Sequence, residues 1–227
     1  MPETLVAKEI QNQSQFDRYF REGGICLGPY TSHMWRHDPR HLVFMLARYK
    51  FCAKMLSGKK RILEVGCGDS IGTPIVLQEV GSVHGIDFEP LVINDAIERN
   101  AYATRCSYQI HDMLEKPISE NFDGAFSLDV IEHIPPKFER KFIQNIAESL
   151  NKNGVLIMGT PNITAHEYAN EQSRQGHINL KSGKSLKQSL GNFFENVFLF
   201  SMNDEMVHTG FSPMAHYLLC MGVGKKR

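Results

Sequence analysis

The sequence predicts a single α/β domain built on a doubly wound, mostly parallel seven-stranded sheet that closes with an antiparallel hairpin. Three observations lead there. Short β-rich runs alternate with helical patterns from Arg61 to Met158, the rhythm of a parallel sheet covered on both faces. A small-residue turn, Gly66-Cys67-Gly68, follows the first of those runs. Residues 193–202 and 215–223 are strand-like with no helical pattern between them, which is how a terminal hairpin reads.

Length and composition bound the reading. A chain of 227 residues has room for one such domain with a sizeable core, and two of ordinary size would be cramped. With 42% hydrophobic and 22% charged residues, wholesale disorder is excluded. Lys plus Arg and Asp plus Glu both number 25, so no net field draws in nucleic acid or an anionic membrane. No charged-then-apolar leader is seen, and no run of about 18 apolar residues could cross a bilayer, so a cytoplasmic chain without membrane insertion is expected. Cys26, Cys52, Cys67, Cys106 and Cys220 form no C-x-x-C pair, which suggests neither a zinc knuckle nor a disulfide framework.

In chain order, residues 1–40 are expected to form an arm or lid: a helix over about 11–21, then a loop punctuated by Gly23-Gly24, Pro29 and Pro39. The domain proper is expected over 41–227. Leu42, Met45, Leu46, Tyr49, Cys52, Ala53 and Leu56 recur at three and four, giving an amphipathic helix that stops at Gly58. Arg61–Val65 is the first strand, residues 72–80 a helix, Ser82–Asp87 the second strand and residues 90–102 a helix. Strands follow over 108–111 and 124–128, a helix over 138–150 and a fifth strand over 155–158. The rhythm then breaks into a polar, His-containing insert over about 161–182 that suits a lid or substrate cover, before a last helix over 184–190.

In an open α/β sheet, ligands sit beyond the carboxyl ends of the strands where strand order reverses. Gly66, Gly68 and Gly72 stand there, small enough for a tight turn and for close backbone approach to a ligand. Asp87 ends the second strand, where a carboxylate can accept both hydroxyls of a ribose. Those features suit NAD and S-adenosylmethionine alike. Glu64, two residues before the first glycine, attracts a cation and repels a pyrophosphate, so the inferred ligand carries an amino group and a sulfonium. From the arm, Arg36 or Arg40 is a candidate fork for the ligand's carboxylate.

The chain resembles the class I S-adenosylmethionine-dependent methyltransferases through Ile62-Leu63-Glu64-Val65-Gly66-Cys67-Gly68, Gly85-Ile86-Asp87, Asp112, and Phe122-Asp123 leading to Asp129-Val130-Ile131-Glu132-His133. The resemblance is strong over about 55–160 and implies a Rossmann-like fold. It also implies that the Gly66-Cys67-Gly68 turn packs on the cofactor's amino-acid portion and that Asp87 holds the ribose. Phe88 would flank the adenine, Asp112 and the Met113 amide would read it, and Leu128 would line the methyl path.

Methyl transfer asks the protein to position a nucleophile and take its proton. His133, just past the fourth strand, is the first candidate base; His177, in Gln175-Gly176-His177-Ile178-Asn179, resembles the Gly-His step of the insert in such enzymes and is the second. Asn162, His166 and Tyr168 are weaker candidates for the same pocket, a solvated loop being the preferred reading. Asp129-x-x-Glu132-His133 also resembles a motif of ubiquinone-pathway O-methyltransferases and small-RNA 2′-O-methyltransferases, some of which hold a divalent metal there. Asp129 replaces a glutamate found in some of them and no second Glu-rich element is evident, so a metal is not favoured.

The expected reaction is methyl transfer from S-adenosylmethionine, yielding S-adenosylhomocysteine, to an oxygen of a small molecule such as a sugar, glycan precursor or phenolic metabolite. The competing readings are a small-RNA or protein methyltransferase and a non-catalytic methyltransferase-like partner. An NAD-dependent oxidoreductase is disfavoured by Glu64, the glycine turn and the hairpin. A homodimer is compatible with the sequence, which does not name the acceptor.

Overall fold

The computed structural model describes residues 6–226. Helices α1 (Gln13–Glu22), α2 (Pro29–His37) and α3 (Pro39–Met55) precede the sheet. Then come β1 (Arg61–Val65), α4 (Thr73–Val76), β2 (Ser82–Asp87), α5 (Pro90–Arg99), β3 (Cys106–Ile110), β4 (Phe122–Leu128), α6 (Glu139–Glu148) and β5 (Leu150–Pro161). The chain closes with α7 (Glu171–Gly176), α8 (Gly183–Gly191), β6 (Phe194–Asn203), β7 (Met206–His208) and β8 (Tyr217–Lys225).

These strands form one sheet in the order β3-β2-β1-β4-β5-β8-β6-β7. Strands β1 to β5 are parallel, whereas β8 runs antiparallel between β5 and β6, and β7 folds back on β6. The order reverses between β1 and β4, which opens a crevice at their carboxyl ends.

Alternation within each strand builds two apolar layers. Leu63, Ala125, Leu156 and Met158 join Phe142, Ile143 and Ile146 of α6 and Leu186 and Leu190 of α8 on one face. Their neighbours Ile62, Phe126 and Ile157 join Tyr49, Cys52, Ala53 and Leu56 on the other. Burying each large side chain is worth about 2 kcal/mol, and a one-residue slip would exchange the layers, so the register of the central strands is firmly set.

The sheet has eight strands where the sequence predicts seven. The addition, β7, is three residues long and follows a turn whose Asp204 adopts φ 49°, too short a run to show a period of two. Residues 29–37, expected as loop, are helical: Pro29 is the first residue of α2 and Pro39 the first of α3, where a missing N–H costs nothing. The helix expected over 72–80 is only Thr73–Val76, followed by turns. Within the insert lie a 3₁₀ turn over Ile163–Tyr168 and α7. Residues 1–5 of the expected arm lie outside the described residues. Among the described residues no helix is long and apolar enough to cross a membrane.

Candidate active site

A cavity of about 580 Å³ lies beyond the carboxyl ends of β1, β2 and β4. Its first wall is the turn after β1. Gly66 adopts φ 75°, and a Cβ there would fall 2.3 Å from a Val130 methyl, so only glycine fits. Gly68 adopts φ 50° beneath the ring of Tyr30. The Gly66 and Cys67 amides both donate to the Ile86 carbonyl, at 2.8 and 3.0 Å, fastening the turn to β2. Asp87 completes the frame: its carboxylate accepts from Gly68 N and Glu89 N, both at 3.0 Å. Asp87 does not cap α5, since Glu89 takes that position and accepts from Leu91 N.

Gly66, Cys67, Gly68, Asp87, Phe88, Asp112, Met113, Leu128 and His133 all line the cavity. Asp112 sits beneath it in a tight turn, one carboxylate oxygen accepting from Leu114 N at 2.7 Å. Cys67 is buried, which together with the nearby Glu64 pushes its thiol up and keeps it neutral.

Three sequence candidates, Glu64, Arg36 and Arg40, lie off the cavity wall. Glu64 does not line the cavity: it is buried behind the turn, where its Oε2 accepts from the Thr73 hydroxyl at 2.6 Å. Burial pushes this carboxyl up to about 7. Arg36 and Arg40 are exposed and also lie off the wall. Helix α2 instead turns Tyr30, Thr31 and Met34 inward, and on a helix position 36 points away from 30, 31 and 34. Those inward residues went unread in the sequence because the helix did; its one signal was Pro29 ahead of an i, i+1, i+4 set.

The other end of the cavity is built after β4. Asp129 adopts φ 58° and lines the wall, its carboxylate accepting twice from Arg48 Nη1, at 2.9 and 2.7 Å. Arg48, buried on α3, lies 3.8 Å over the Tyr217 ring. A 3₁₀ turn, Ile131–His133, then buries Glu132 and leaves His133 exposed at the wall. Glu132 Oε2 accepts from the Thr160 hydroxyl at 2.9 Å, while Oε1 has no partner among the described residues; burial and the negative charge of Asp129 push this carboxyl up.

His133 Nδ1 lies 3.0 Å from the Gly176 carbonyl. A carbonyl only accepts, so Nδ1 carries a proton, and in the neutral ring the lone pair is on Nε2. The His177 ring meets that of His133 edge-on at 5.1 Å, although His177 does not itself line the cavity. Its imidazole pKa is lowered by burial and by the neighbouring His133. Glu132, His133 and His177 each offer a ligand atom, all within 4.8 Å of one another. Asp129 pairs with Arg48 and is not one of this group.

The insert is strapped in place by polar contacts. Asn179 N donates to the Glu132 carbonyl at 3.0 Å, and its side chain donates to Glu139 at 2.9 Å. Lys181 forms an ion pair with the same Glu139. Of the weaker candidates, Asn162 is structural, donating to the Ser212 and Ala215 carbonyls, and neither His166 nor Tyr168 lines the cavity.

A family model described as "Methyltransferase domain" matches residues 56–197. The phosphoethanolamine N-methyltransferase of Plasmodium falciparum (isolate 3D7) is 29% identical over 105 residues, covering 45% of this chain and 40% of that protein. The ubiquinone biosynthesis O-methyltransferase of Haemophilus ducreyi is 30% identical over 151 residues, covering 60% of this chain and 63% of that one. The chain thus spans less than two thirds of the length of either relative. The fold is shared with the N-methyltransferase NodS of Bradyrhizobium japonicum WM9, solved with S-adenosyl-l-homocysteine, at a TM-score of 0.60 and 20% identity over 84% of this chain and 91% of that one. With its crevice at the sheet's switch point and a family match over more than half its length, the chain belongs to the methyltransferase domain family.

Proposed function

We propose that this enzyme moves the methyl group of S-adenosylmethionine to an oxygen of a small-molecule acceptor, such as a sugar, glycan precursor or phenolic metabolite. The observation that carries the oxygen assignment is the bond between His133 Nδ1 and the Gly176 carbonyl, which leaves Nε2 as a proton acceptor on a cavity-lining side chain. A hydroxyl must lose its proton as it attacks, and an imidazole suits that task near neutral pH.

The residues fit the cofactor: the Gly66-Cys67-Gly68 turn presents backbone where its amino-acid portion would lie, and the Asp87 carboxylate stands at the strand end where a ribose is held. Phe88, Asp112 and Met113 surround the place of the adenine, and Leu128 borders the methyl path. Glu64 stands behind the turn and, in its ionised form, favours a cationic ligand without touching it. The cofactor supplies an electrophilic methyl carbon. His133 receives the acceptor's hydroxyl proton at Nε2, and His177 orients the imidazole from its edge.

A second reading is favoured by the unpartnered Glu132 Oε1. With His133 and His177 it would hold a divalent cation that lowers the acceptor hydroxyl's pKa. Turnover untouched by a chelator would rule it out.

The test is an acceptor screen by mass, in which a metabolite extract and deuteromethyl cofactor yield a product labelled on oxygen. A label found on nitrogen alone refutes the proposal. On the acceptor found, His133→Ala should lower kcat by about 10²-fold. A loss below about tenfold for both His133→Ala and His177→Ala would remove the general base.

A further inference from the structure

The glycine turn carries one acidic side chain that the reading above leaves unused. Asp69 follows Gly68, lines the cavity and is 4% exposed. Both of its carboxylate oxygens are committed: Oδ2 accepts from the Thr31 backbone N–H at 2.7 Å and Oδ1 from the Thr31 hydroxyl at 2.9 Å. Thr31 lies in the first turn of α2, whose N-cap is Gly28, without a side chain, and whose first residue is Pro29, without an N–H. The oxygen that α2 needs for its free amide therefore comes from 38 residues further along the chain.

The approach is close and fixed from behind. A Cβ at Gly28 would fall 2.4 Å from the Asp69 Cβ and 2.5 Å from Arg99 Nη2. That guanidinium donates to the Asp69 carbonyl at 2.5 Å and is itself held by Asp95. The next residue, Ser70, adopts φ 62° and shares a hydrogen bond of 2.6 Å with the Tyr108 hydroxyl of β3. The turn is thus clamped to α5 and β3, and Asp69 extends that clamp to α2. In return α2 places Tyr30, Thr31 and Met34 on the cavity wall, with the Tyr30 ring 3.2 Å from where a Gly68 Cβ would stand.

We propose that Asp69 is a positioning residue, a latch that fastens α2 as a roof over the glycine turn and so sets how long the cofactor stays bound. The proposal rests on the reading that this half of the cavity holds the cofactor. It assigns Asp69 an action through α2, because each of its carboxylate oxygens accepts from Thr31.

Amide hydrogen exchange on ligand-free protein tests the latch, and S-adenosylhomocysteine dissociation tests its effect. In Asp69→Ala, exchange across residues 29–37 should rise about tenfold while α6 is unchanged, and S-adenosylhomocysteine should leave about tenfold faster. The cofactor KM should rise about tenfold while kcat falls less than about threefold, a split that general loss of structure would not produce. Asp69→Asn keeps one acceptor and should fall between the two. Thr31→Val, on the other side of the contact, should reproduce part of the effect and add nothing to Asp69→Ala. Unaltered exchange across 29–37 overturns the proposal. So does faster exchange with unaltered S-adenosylhomocysteine dissociation, provided Asp87→Ala still weakens that ligand. If Asp87→Ala also leaves the ligand bound as before, the cofactor reading of this half falls first and takes the proposal with it.

Discussion

The two ends of the cavity are fastened in different ways. At the glycine end, the groups sit on adjacent parallel strands and are tied across a single strand gap: Gly66 and Cys67 to Ile86, Gly68 to Asp87. At the histidine end, His133 is joined to Gly176 across 43 residues of sequence by one imidazole–carbonyl bond, with Asn179 and Lys181 pinning the segment that follows. The first arrangement is part of the sheet itself. The second is an attachment to the sheet that can be cut while the strands stay paired, so substitutions at the two ends should separate binding from turnover.

The sharpest break would come from Asp87→Ala. It removes two backbone bonds to a carboxylate as well as the proposed ribose contact, and calorimetry should show S-adenosylhomocysteine affinity falling by about 10³-fold. An unchanged Kd would mean that the strand-end frame does not hold the cofactor.

Glu64 gives the glycine end a pH signature. Its folded pKa, raised by burial to about 7, exceeds the unfolded value, so its contribution is fully present below about pH 4.3 and is lost as the pH rises through about 7. Across that window the group withdraws about 4 kcal/mol of stability. Glu64→Gln, neutral at every pH, should flatten the slope in urea titrations at pH 5 and pH 8; an unchanged slope would place the titration elsewhere.

The smallest effect tests the histidine end. Ser182 caps α8 with a reciprocal Ser182–Ser185 pair immediately after the insert, and Ser182→Ala should cost about 1 kcal/mol in thermal unfolding. It should raise the acceptor KM while leaving cofactor affinity alone. A matching loss of cofactor affinity would show that the two ends are not separable.

The same contrast governs what can be read from the chain. Gly66, Gly68, Asp87 and Asp112 are legible because a strand followed by a tight turn brings near neighbours in sequence to one strand end. Glu64 belongs to the same motif, yet its position behind the turn depends on Thr73 and on burial, which spacing does not disclose. Arg36 is misplaced for another reason: two prolines that begin helices look like loop punctuation, and without α2 its inward face stays hidden. His133 and His177 can be named separately, but their contact arises only when the insert folds back. Arg48 leaves no trace in the sequence because its partner, Asp129, lies 81 residues away.

The position of β8 bears on how this molecule is made. Strand β8, which follows β6 and β7 in sequence, fills the gap between β5 and β6, pairing with both and burying Tyr217, Leu218, Leu219 and Cys220. During synthesis β1 to β5 can assemble as they emerge, whereas β6 and β7 have no sheet to join until β8 arrives. Until β8 has emerged, β5 and β6 each present an unpaired edge, and its arrival closes both at once.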